Sequence, residues 1–246
     1  MSLNPLAPVT DYQSMLNRIF WFTSASALAA VWMLRMKLPA LNTLLQQIDF
    51  TLEFGGDKIV PIPGGYLLPA LAIGLGSRVF RIHGQLAGWL GIRERFDIDV
   101  IISELARRTG VNLDGVPEEE LTYHRHKIMR DGFYQFVGGS QPQIDQQLIH
   151  RALDLWSWFW IGLEATVVFV FTGFALLATA AYLPGLTVIF TALGSAAVGL
   201  PIIRNECRRY AIAQVRAIVV SQGRALQVRR AFDGVLAQPR FTHDAA

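Results

Sequence analysis

The chain has 246 residues, of which 52% are hydrophobic and only 17% are charged, whereas a soluble domain carries about 25% charged residues. This composition is typical of a membrane protein and excludes an ordinary soluble domain. The net charge of +3 is small and the basic residues are interspersed with acidic ones, so the sequence gives no sign of direct nucleic-acid binding. The single cysteine excludes an internal disulfide.

The first predicted membrane span covers about residues 19–36. Its core is the uncharged run 19–34, which lies between Arg18 and Arg35. That run is short, because a spanning helix needs roughly 20 apolar residues, but arginines at both ends can snorkel to the membrane surfaces. A secretory signal peptide is the alternative, and the long leader with one basic residue disfavours it. A short amphipathic helix at the membrane surface is predicted next, over 38–48.

The second predicted span covers about residues 60–80 and completes a membrane domain of residues 1–92. It contains the uncharged run 59–77, which is rich in proline and glycine. Two interpretations stay open. One is a turn at 61–65 before a span that begins near Tyr66. The other is a hinged helix beside a cavity, because membrane helices tolerate proline and glycine where neighbours satisfy the backbone. The candidate hinge residues are Pro61, Pro63, Gly64, Gly65 and Pro69.

The polar segment 93–154 is predicted to be a helical cytoplasmic domain. Asp97 and Asp99 suit the capped start of its first helix, and Gly110 suits the end of that helix. A second helix is predicted over 117–137. The apolar face of the first helix recurs at helical spacing and consists of Ile98, Ile101, Ile102 and Leu105.

A transmembrane helical hairpin is predicted over residues 155–203. Glu164 is its one charged residue, and the two spans are predicted to meet in a turn at Pro184-Gly185. The first helix of the hairpin is expected to begin near Pro142 and to run without interruption into the membrane. The remaining residues, 204–246, form a basic cytoplasmic tail with two predicted helices that are separated near Gln222.

The distribution of basic residues predicts the orientation. Of the 22 Lys and Arg residues, 19 fall in the leader, the segment 78–154 and the tail. Cytoplasmic loops carry an excess of Lys and Arg, and four spans place all three of these segments on one side. The expected fold is therefore an all-α, polytopic membrane protein with four transmembrane helices and a helical cytoplasmic domain. Its expected location is the bacterial inner membrane, with both termini in the cytoplasm.

Glu164 is the strongest candidate for a functional residue. A carboxylate inside the hydrocarbon costs about 2.5–3.5 kcal/mol on insertion scales, so it needs a partner or water. Arg78 and Arg204 are the candidate partners, because each follows a predicted span on the cytoplasmic side. Two roles stay open for this polar site: a structural lock, or a proton- or ion-responsive group in an oligomer. Small polar residues could line a path beside it: Thr166, Thr172, Thr187, Thr191 and Ser195.

The sequence contains no motif that indicates an enzyme. It has no HExxH pair, no glycine-rich phosphate loop and no Gly-x-Ser-x-Gly segment, so we expect neither catalysis nor a metal or cofactor. The basic residues of the tail are expected to contact anionic lipid near the membrane surface. They are Arg208, Arg209, Arg224, Arg229 and Arg230.

The order of the segments resembles two known groups of bacterial membrane proteins. The runs 19–34, 59–77, 155–183 and 186–203, with the basic segment 93–108 after the second span, resemble the small four-span effectors and sensors of anti-phage defence systems. They also resemble the stator family of the flagellar motor. The first resemblance implies an oligomeric, signal-gated or pore-forming effector or sensor that works with a soluble cytoplasmic partner. The second implies a structural or scaffold subunit that recruits a soluble partner to the membrane.

Overall fold

Helices make up almost all of the computed structural model, which describes residues 4, 6–54, 58–138 and 141–236. The helical fold class is confirmed, and one β-hairpin of strands β1 (Phe50–Phe54) and β2 (Lys58–Ile62) is added to it. The helices are α1 (Tyr12–Lys37), α2 (Pro39–Gln46), α3 (Gly64–Phe80), α4 (Ile82–Trp89), α5 (Ile92–Phe96), α6 (Ser103–Thr109), α7 (Glu118–Met129), α8 (Gln135–Val137), α9 (Gln146–Ala178), α10 (Tyr182–Val219) and α11 (Gln222–Leu236).

The chain forms two compact units. The first unit comprises Met1–Gln85 and Leu153–Arg204, and the second comprises Leu86–Ala152 and Asn205–Ala246. The first unit contains most of the apolar sequence. Within the described residues, three helices are long and apolar enough to cross a membrane: α1, α9 and α10. Helix α3 is also apolar but has only 17 residues, a length of about 26 Å at 1.5 Å per residue.

Helix α1 begins well before the predicted span because its N-terminus is capped. The side chain of Asp11 accepts a hydrogen bond from the Ser14 backbone N–H at 2.7 Å, and the Ser14 hydroxyl oxygen accepts one from the Asp11 backbone N–H at 3.0 Å. This reciprocal pair satisfies two backbone donors that a helix start otherwise leaves open. The helix ends at Lys37, and Pro39 is the first residue of α2. Proline suits this position because the backbone N–H that it lacks would have no partner within the helix.

The second predicted span starts later than expected. Ile59 to Ile62 pair with β1 in an antiparallel register, Phe50 opposite Ile62 and Phe54 opposite Lys58. Helix α3 then begins at Gly64. Hydropathy alone cannot distinguish a short apolar strand from the start of a buried helix, which explains the error. The sequence also predicts a turn over 54–58, of which residues 55–57 lie outside the described residues.

Helix α3 ends at Phe80. Arg81 follows it with a φ of 51°, in the left-handed region, and a separate helix, α4, begins at Ile82. A non-glycine residue in that region ends a helix, because the backbone hydrogen-bond ladder cannot pass through it. This break places His83 just beyond the end of α3.

The helices of the first unit alternate in direction. Arg18 and Thr23 of α1 pair with Asp154 and Glu164 of α9 in the same chain order, so these two helices are parallel. Helix α3 is antiparallel to α1, because Arg78 contacts Asn17 while Tyr66 lies against Arg35. Helix α10 is antiparallel to α9: a Cβ added at Gly173 would meet Ile189, and one added at Gly162 would meet Leu200.

The turn between α9 and α10 lies at Thr179–Ala181 and not at Pro184-Gly185, so that prediction is wrong. Ala180 has a φ of 63°, and α10 begins at Tyr182. Pro184 falls in the first turn of α10, where proline is favoured because the N–H that it lacks would have no helical partner. Gly185 packs so closely on α9 that an added Cβ would lie 2.8 Å from the Gly173 carbonyl oxygen.

The second unit has its own apolar core. The predicted face of Ile98, Ile101, Ile102 and Leu105 is buried, and Gly110 ends that helix with a φ of 72°. The helical run, however, begins at Ile92 and passes through a π-helical segment, Asp97–Ile102. Asp97 and Asp99 are therefore not capping residues at a helix start. Other fully buried side chains of this core are Ile128, Phe136, Val215, Ile218, Val228, Phe232 and Val235.

Candidate functional site at Glu164

Glu164 is buried among three helices of the first unit, with 2% of its surface exposed. One carboxylate oxygen, Oε2, accepts two short hydrogen bonds, from the Thr23 hydroxyl at 2.6 Å and from the Ser77 hydroxyl at 2.7 Å. Thr23 lies on α1, Ser77 on α3 and Glu164 on α9. A single oxygen atom therefore ties three helices together.

The other carboxylate oxygen, Oε1, faces His83. Nδ1 of His83 lies 3.7 Å from Oε1, which is too long for a hydrogen bond, and Oε1 has no hydrogen-bond partner among the described residues. The Nε2 atom of the same ring lies 3.3 Å from the hydroxyl of Tyr12. His83 is 5% exposed, whereas Tyr12 at the start of α1 is 49% exposed.

The close approach of α1 and α3 brings the two hydroxyl groups to Glu164. A Cβ at Gly74 would lie 2.0 Å from the Ser24 hydroxyl oxygen and 3.1 Å from the Phe20 carbonyl oxygen. A larger residue here would force the Ser24 hydroxyl to rotate away and the Phe20 carbonyl to shift by a few tenths of an ångström. Ser77 lies one helical turn after Gly74 and thus on the same face of α3, which directs its hydroxyl toward α1 and α9.

A groove of about 450 Å³ adjoins the carboxylate. Its polar lining consists of Glu164, Thr23, Ser77 and Thr172, and the hydroxyl of Thr172 is already bonded to the Val168 carbonyl. The rest of the lining is apolar: Ala30, Val31, Leu34, Ile73, Gly76, Ile82, Val167, Val168, Phe171 and Ala175. Within this groove, Glu164 is the one side chain that can carry a charge.

The model of the YmfE protein family matches residues 11–234. The chain belongs to the YmfE protein family. No curated protein and no solved structure matches it. The region matched by the YmfE family contains the whole Glu164 site, from Tyr12 to Glu164.

The arginines predicted to pair with Glu164 do not do so in this YmfE-family chain. Arg78 donates a hydrogen bond to the Asn17 side chain at 3.3 Å, and Arg204 is exposed. Residues 77 and 78 point about 100° apart on a helix, so the serine and not the arginine faces α9. Thr23, Ser77 and His83 were missed. In the sequence these three are polar residues within or beside apolar runs. That pattern does not indicate that they share a partner.

Two other buried cations hold the first unit together. Nη1 of Arg18 is paired with Asp154 and lies 3.2 Å from the Ser157 hydroxyl, while Nη2 donates to the Ala7 carbonyl at 2.7 Å. The ring of Trp158 lies 5.5 Å from the guanidinium carbon. We call these residues the Arg18 cluster. Arg18 is only 6% exposed, so the expectation that it snorkels to a membrane surface is wrong.

Arg35 lies near the opposite end of α1, and it does not extend to a membrane surface either. We call Arg35 and its contacts Asn42, Asp49 and Tyr66 the Arg35 cage. Arg35 is 6% exposed, donates to the Asn42 side chain at 2.9 Å and contacts Asp49 at 3.4 Å. Its guanidinium carbon lies 3.8 Å from the centre of the Tyr66 ring, a cation–π contact. Asp49 also accepts a hydrogen bond from the Gly65 N–H at 2.7 Å.

The candidate hinge residues lie in β2, at the start of α3 or within α3. Pro61 is in β2, and Pro63 is the residue before the first helical residue of α3. Gly64 and Gly65 are buried against the carbonyl oxygens of Ile48 and Leu45. Pro69 lies inside α3 and lacks the N–H that would bond the Gly65 carbonyl.

A second groove of about 450 Å³ lies between α9 and α10. Four of the five small polar residues predicted to line a path are at its surface, and Thr172 is instead in the Glu164 groove. The hydroxyls of Thr166 and Thr187 bond carbonyls of their own helices, so they offer no free donor. The path residues of this second groove are Thr166, Thr187, Thr191 and Ser195.

A largely buried ion pair in the second unit joins Asp97 and Arg125 at 3.2 Å. Burial raises the pKa of Asp97 to about 6, and the nearby cations Arg93 and Arg125 oppose that rise. Of the tail arginines predicted to contact lipid, Arg224 is instead partly buried and bonds the carbonyl of Ala217 at 2.8 Å. The other four are exposed: Arg208, Arg209, Arg229 and Arg230.

Proposed function

We propose that this YmfE-family protein is an integral protein of the bacterial cytoplasmic membrane that works as an oligomeric, signal-gated or pore-forming effector or sensor. Its four spans are α1, α3, α9 and α10, and both termini lie in the cytoplasm. The second unit receives the signal from a soluble cytoplasmic partner. The single observation that carries the proposal is the buried carboxylate of Glu164, which is held by three helices and has no cation bonded to it.

The alternating direction of the helices supports four spans. Successive transmembrane helices must run in opposite directions, and α1, α3, α9 and α10 do so. Helix α3 is short, but a hydrophobic stretch shorter than the bilayer is accommodated at modest cost by local thinning or by snorkelling of flanking residues. The excess of Lys and Arg in the leader, the segment 78–154 and the tail supports the orientation.

The chemistry of Glu164 supports a switch. Its ionised form fits the two hydroxyl donors at Oε2, but ionisation in an apolar unit is costly because none of the described residues bonds Oε1. A change of charge would alter bonds to both α1 and α3, and so would alter how these helices pack on α9.

The exposure of α10 supports assembly into an oligomer. Only 6% of its most apolar window is buried in the single chain, and the groove that it forms with α9 is lined largely by small residues. Small residues let membrane helices approach closely. A structural or scaffold subunit is the competing function, because the three-helix bond network of Glu164 would also serve as a static lock.

A conductance measurement separates these functions. We expect wild-type protein in liposomes to conduct ions in a pH-dependent manner. We expect Glu164→Gln to change that conductance about tenfold, which corresponds to a change of about 1.4 kcal/mol in the free-energy difference between the open and closed states. Glutamine keeps the size of the side chain but cannot ionise. The control is Glu206→Gln, which removes a partly exposed carboxylate paired with Arg209 and should leave conductance unchanged.

Two outcomes contradict the proposal. Wild-type protein that does not conduct at any pH would exclude the pore-forming effector and leave the scaffold function. Equal conductance of wild type and Glu164→Gln at every pH would exclude a role for this carboxylate in gating.

A further inference from the structure

We infer that the ligand of the Glu164 site is a proton, and that it reaches the carboxylate from the Tyr12 end of α1 through the imidazole of His83. This inference rests on the proposed function, since it names the ligand of the same site and its route. The observation behind it is a continuous series of three side chains that leads from an exposed hydroxyl to a buried carboxylate.

The series has two short steps. The Tyr12 hydroxyl lies 3.3 Å from Nε2 of His83, and Nδ1 of the same ring lies 3.7 Å from Oε1 of Glu164. Exposure falls along it, from 49% at Tyr12 to 5% at His83 and 2% at Glu164. The second step exceeds hydrogen-bond length by a few tenths of an ångström, which a small side-chain rotation closes. Oε1 is also the oxygen that no described residue bonds.

The imidazole can pass a proton along this series without a net change in its own charge. A neutral His83 with its proton on Nδ1 accepts a proton on Nε2 from the Tyr12 side, and releases the Nδ1 proton to Oε1. The ring ends neutral with its proton on Nε2, and the Tyr12 hydroxyl regains a proton from water. One proton leaves the solution and the carboxylate becomes a carboxylic acid. Exchange of the ring tautomer resets the histidine.

The surroundings of Glu164 favour a proton over a metal ion. The described residues contain no group of three His, Cys, Asp or Glu side chains that could hold a metal. Calcium takes six to eight oxygen ligands, whereas the groove presents only one carboxylate and three hydroxyl groups. A proton needs a single acceptor atom, and Oε1 supplies it.

The charged groups around the site are otherwise engaged or exposed. On α1, Arg18 is paired with Asp154 of α9. On α3, Arg78 bonds Asn17, and Arg81, which precedes α4, is exposed. His83 is therefore the one titratable side chain of the described residues that faces the Glu164 carboxylate.

Time-resolved infrared spectroscopy of the reconstituted full-length protein tests the route. After a pH jump, the wild-type spectrum minus the Glu164→Gln spectrum should show a carboxylic-acid C=O band, because this difference removes the bands of Asp97 and of the other carboxyl groups. In His83→Gln the band should form at least about tenfold more slowly, since a positioned acid–base group typically contributes a factor of 10²–10⁴. Tyr12→Phe removes only a half-exposed hydroxyl, keeps the fold and should slow the band less. The matched control, His150→Gln, should match wild type.

The outcomes distinguish this inference from the proposed function. A wild-type minus Glu164→Gln difference spectrum with no carboxylic-acid band at any pH would overturn proton binding at this residue. Equal rates in wild type, His83→Gln and Tyr12→Phe would overturn the route. If wild-type liposomes do not conduct while the band forms slowly in His83→Gln, the gating function fails and the proton site stands.

Discussion

Replacing Arg18 with methionine should lower the free energy of unfolding by about 3 kcal/mol, near the lower end of the range for breaking a buried ion pair. The loss comes from the Arg18–Asp154 ion pair and from the Ala7 carbonyl, which would lose its Arg18 donor. The lower end applies because the Asp154 side chain is 22% exposed, so water offsets part of the cost. Fluorescence of the six tryptophans during unfolding in mixed detergent micelles measures the change.

Two further variants give this prediction its controls. Lys37→Met removes an exposed cation from the other end of the same helix and should change the free energy of unfolding by less than about 0.5 kcal/mol. The double variant Arg18→Met with Asp154→Leu should regain most of the loss, because replacing both members of a buried pair by apolar groups is often neutral. A double variant as unstable as Arg18→Met alone would show that the ion pair is not the cause.

Replacing Gly65 with alanine should destabilise the first unit by about 3 kcal/mol, the upper end of the range for overpacking. The added Cβ would lie 2.2 Å from the Leu45 carbonyl oxygen and 2.6 Å from Nη1 of Arg35. The first of these atoms belongs to the backbone, so a side-chain rotation cannot relieve the clash. Helix α3 would have to move away from α2 and from the Arg35 cage. The same unfolding measurement in mixed micelles applies.

Gly76→Ala is the matched control, since it lies on the same helix and an added Cβ would meet no atom within 4 Å. Alanine is the better helix former by about 1 kcal/mol, so this variant should be as stable as wild type or more so. The comparison also decides between packing and a hinge at the start of α3. A Gly65→Ala protein of unchanged stability but altered gating would favour the hinge.

The sequence alone predicts the helices of the apolar segments and most of the helix ends that are marked by a nearby glycine or polar residue. Gly110 ends its helix as predicted, and the break near Gln222 separates α10 from α11. The β-hairpin was missed because an apolar run has the same hydropathy in a strand as in a helix. Pro184 was assigned to a turn because proline suits both a turn and the first turn of a helix, and only the structure shows which.

The partners of Glu164 could not be read from the sequence for a different reason. Thr23, Ser77 and His83 lie 141, 87 and 81 positions away along the chain, and nothing local connects them. The arginines that follow the spans were assigned to the carboxylate by charge alone. Charge complementarity does not fix the direction of a side chain, and Arg78 turns toward Asn17 instead. The role of Glu164 itself stays a prediction.

Every proposal made for this protein requires the first unit to lie in the bilayer and the second unit in the cytoplasm. Labelling of single cysteines in intact cells with a membrane-impermeant maleimide tests this arrangement most directly, in a background with Cys207→Ala. The three positions chosen are strongly exposed in the chain: Leu183 at 79%, Phe171 at 70% and Tyr123 at 81%. They differ in the environment that the proposed topology gives them: the outside for Leu183, the hydrocarbon for Phe171 and the cytoplasm for Tyr123.

We expect Leu183→Cys to be labelled in intact cells, because the turn between α9 and α10 faces the outside. Tyr123→Cys should be labelled only after the cells are permeabilised, and Phe171→Cys should resist labelling in both cases, because a thiol in hydrocarbon does not form the reactive thiolate. Labelling of Phe171→Cys as fast as Leu183→Cys would contradict a bilayer around the first unit. Labelling of Tyr123→Cys in intact cells would contradict a cytoplasmic second unit.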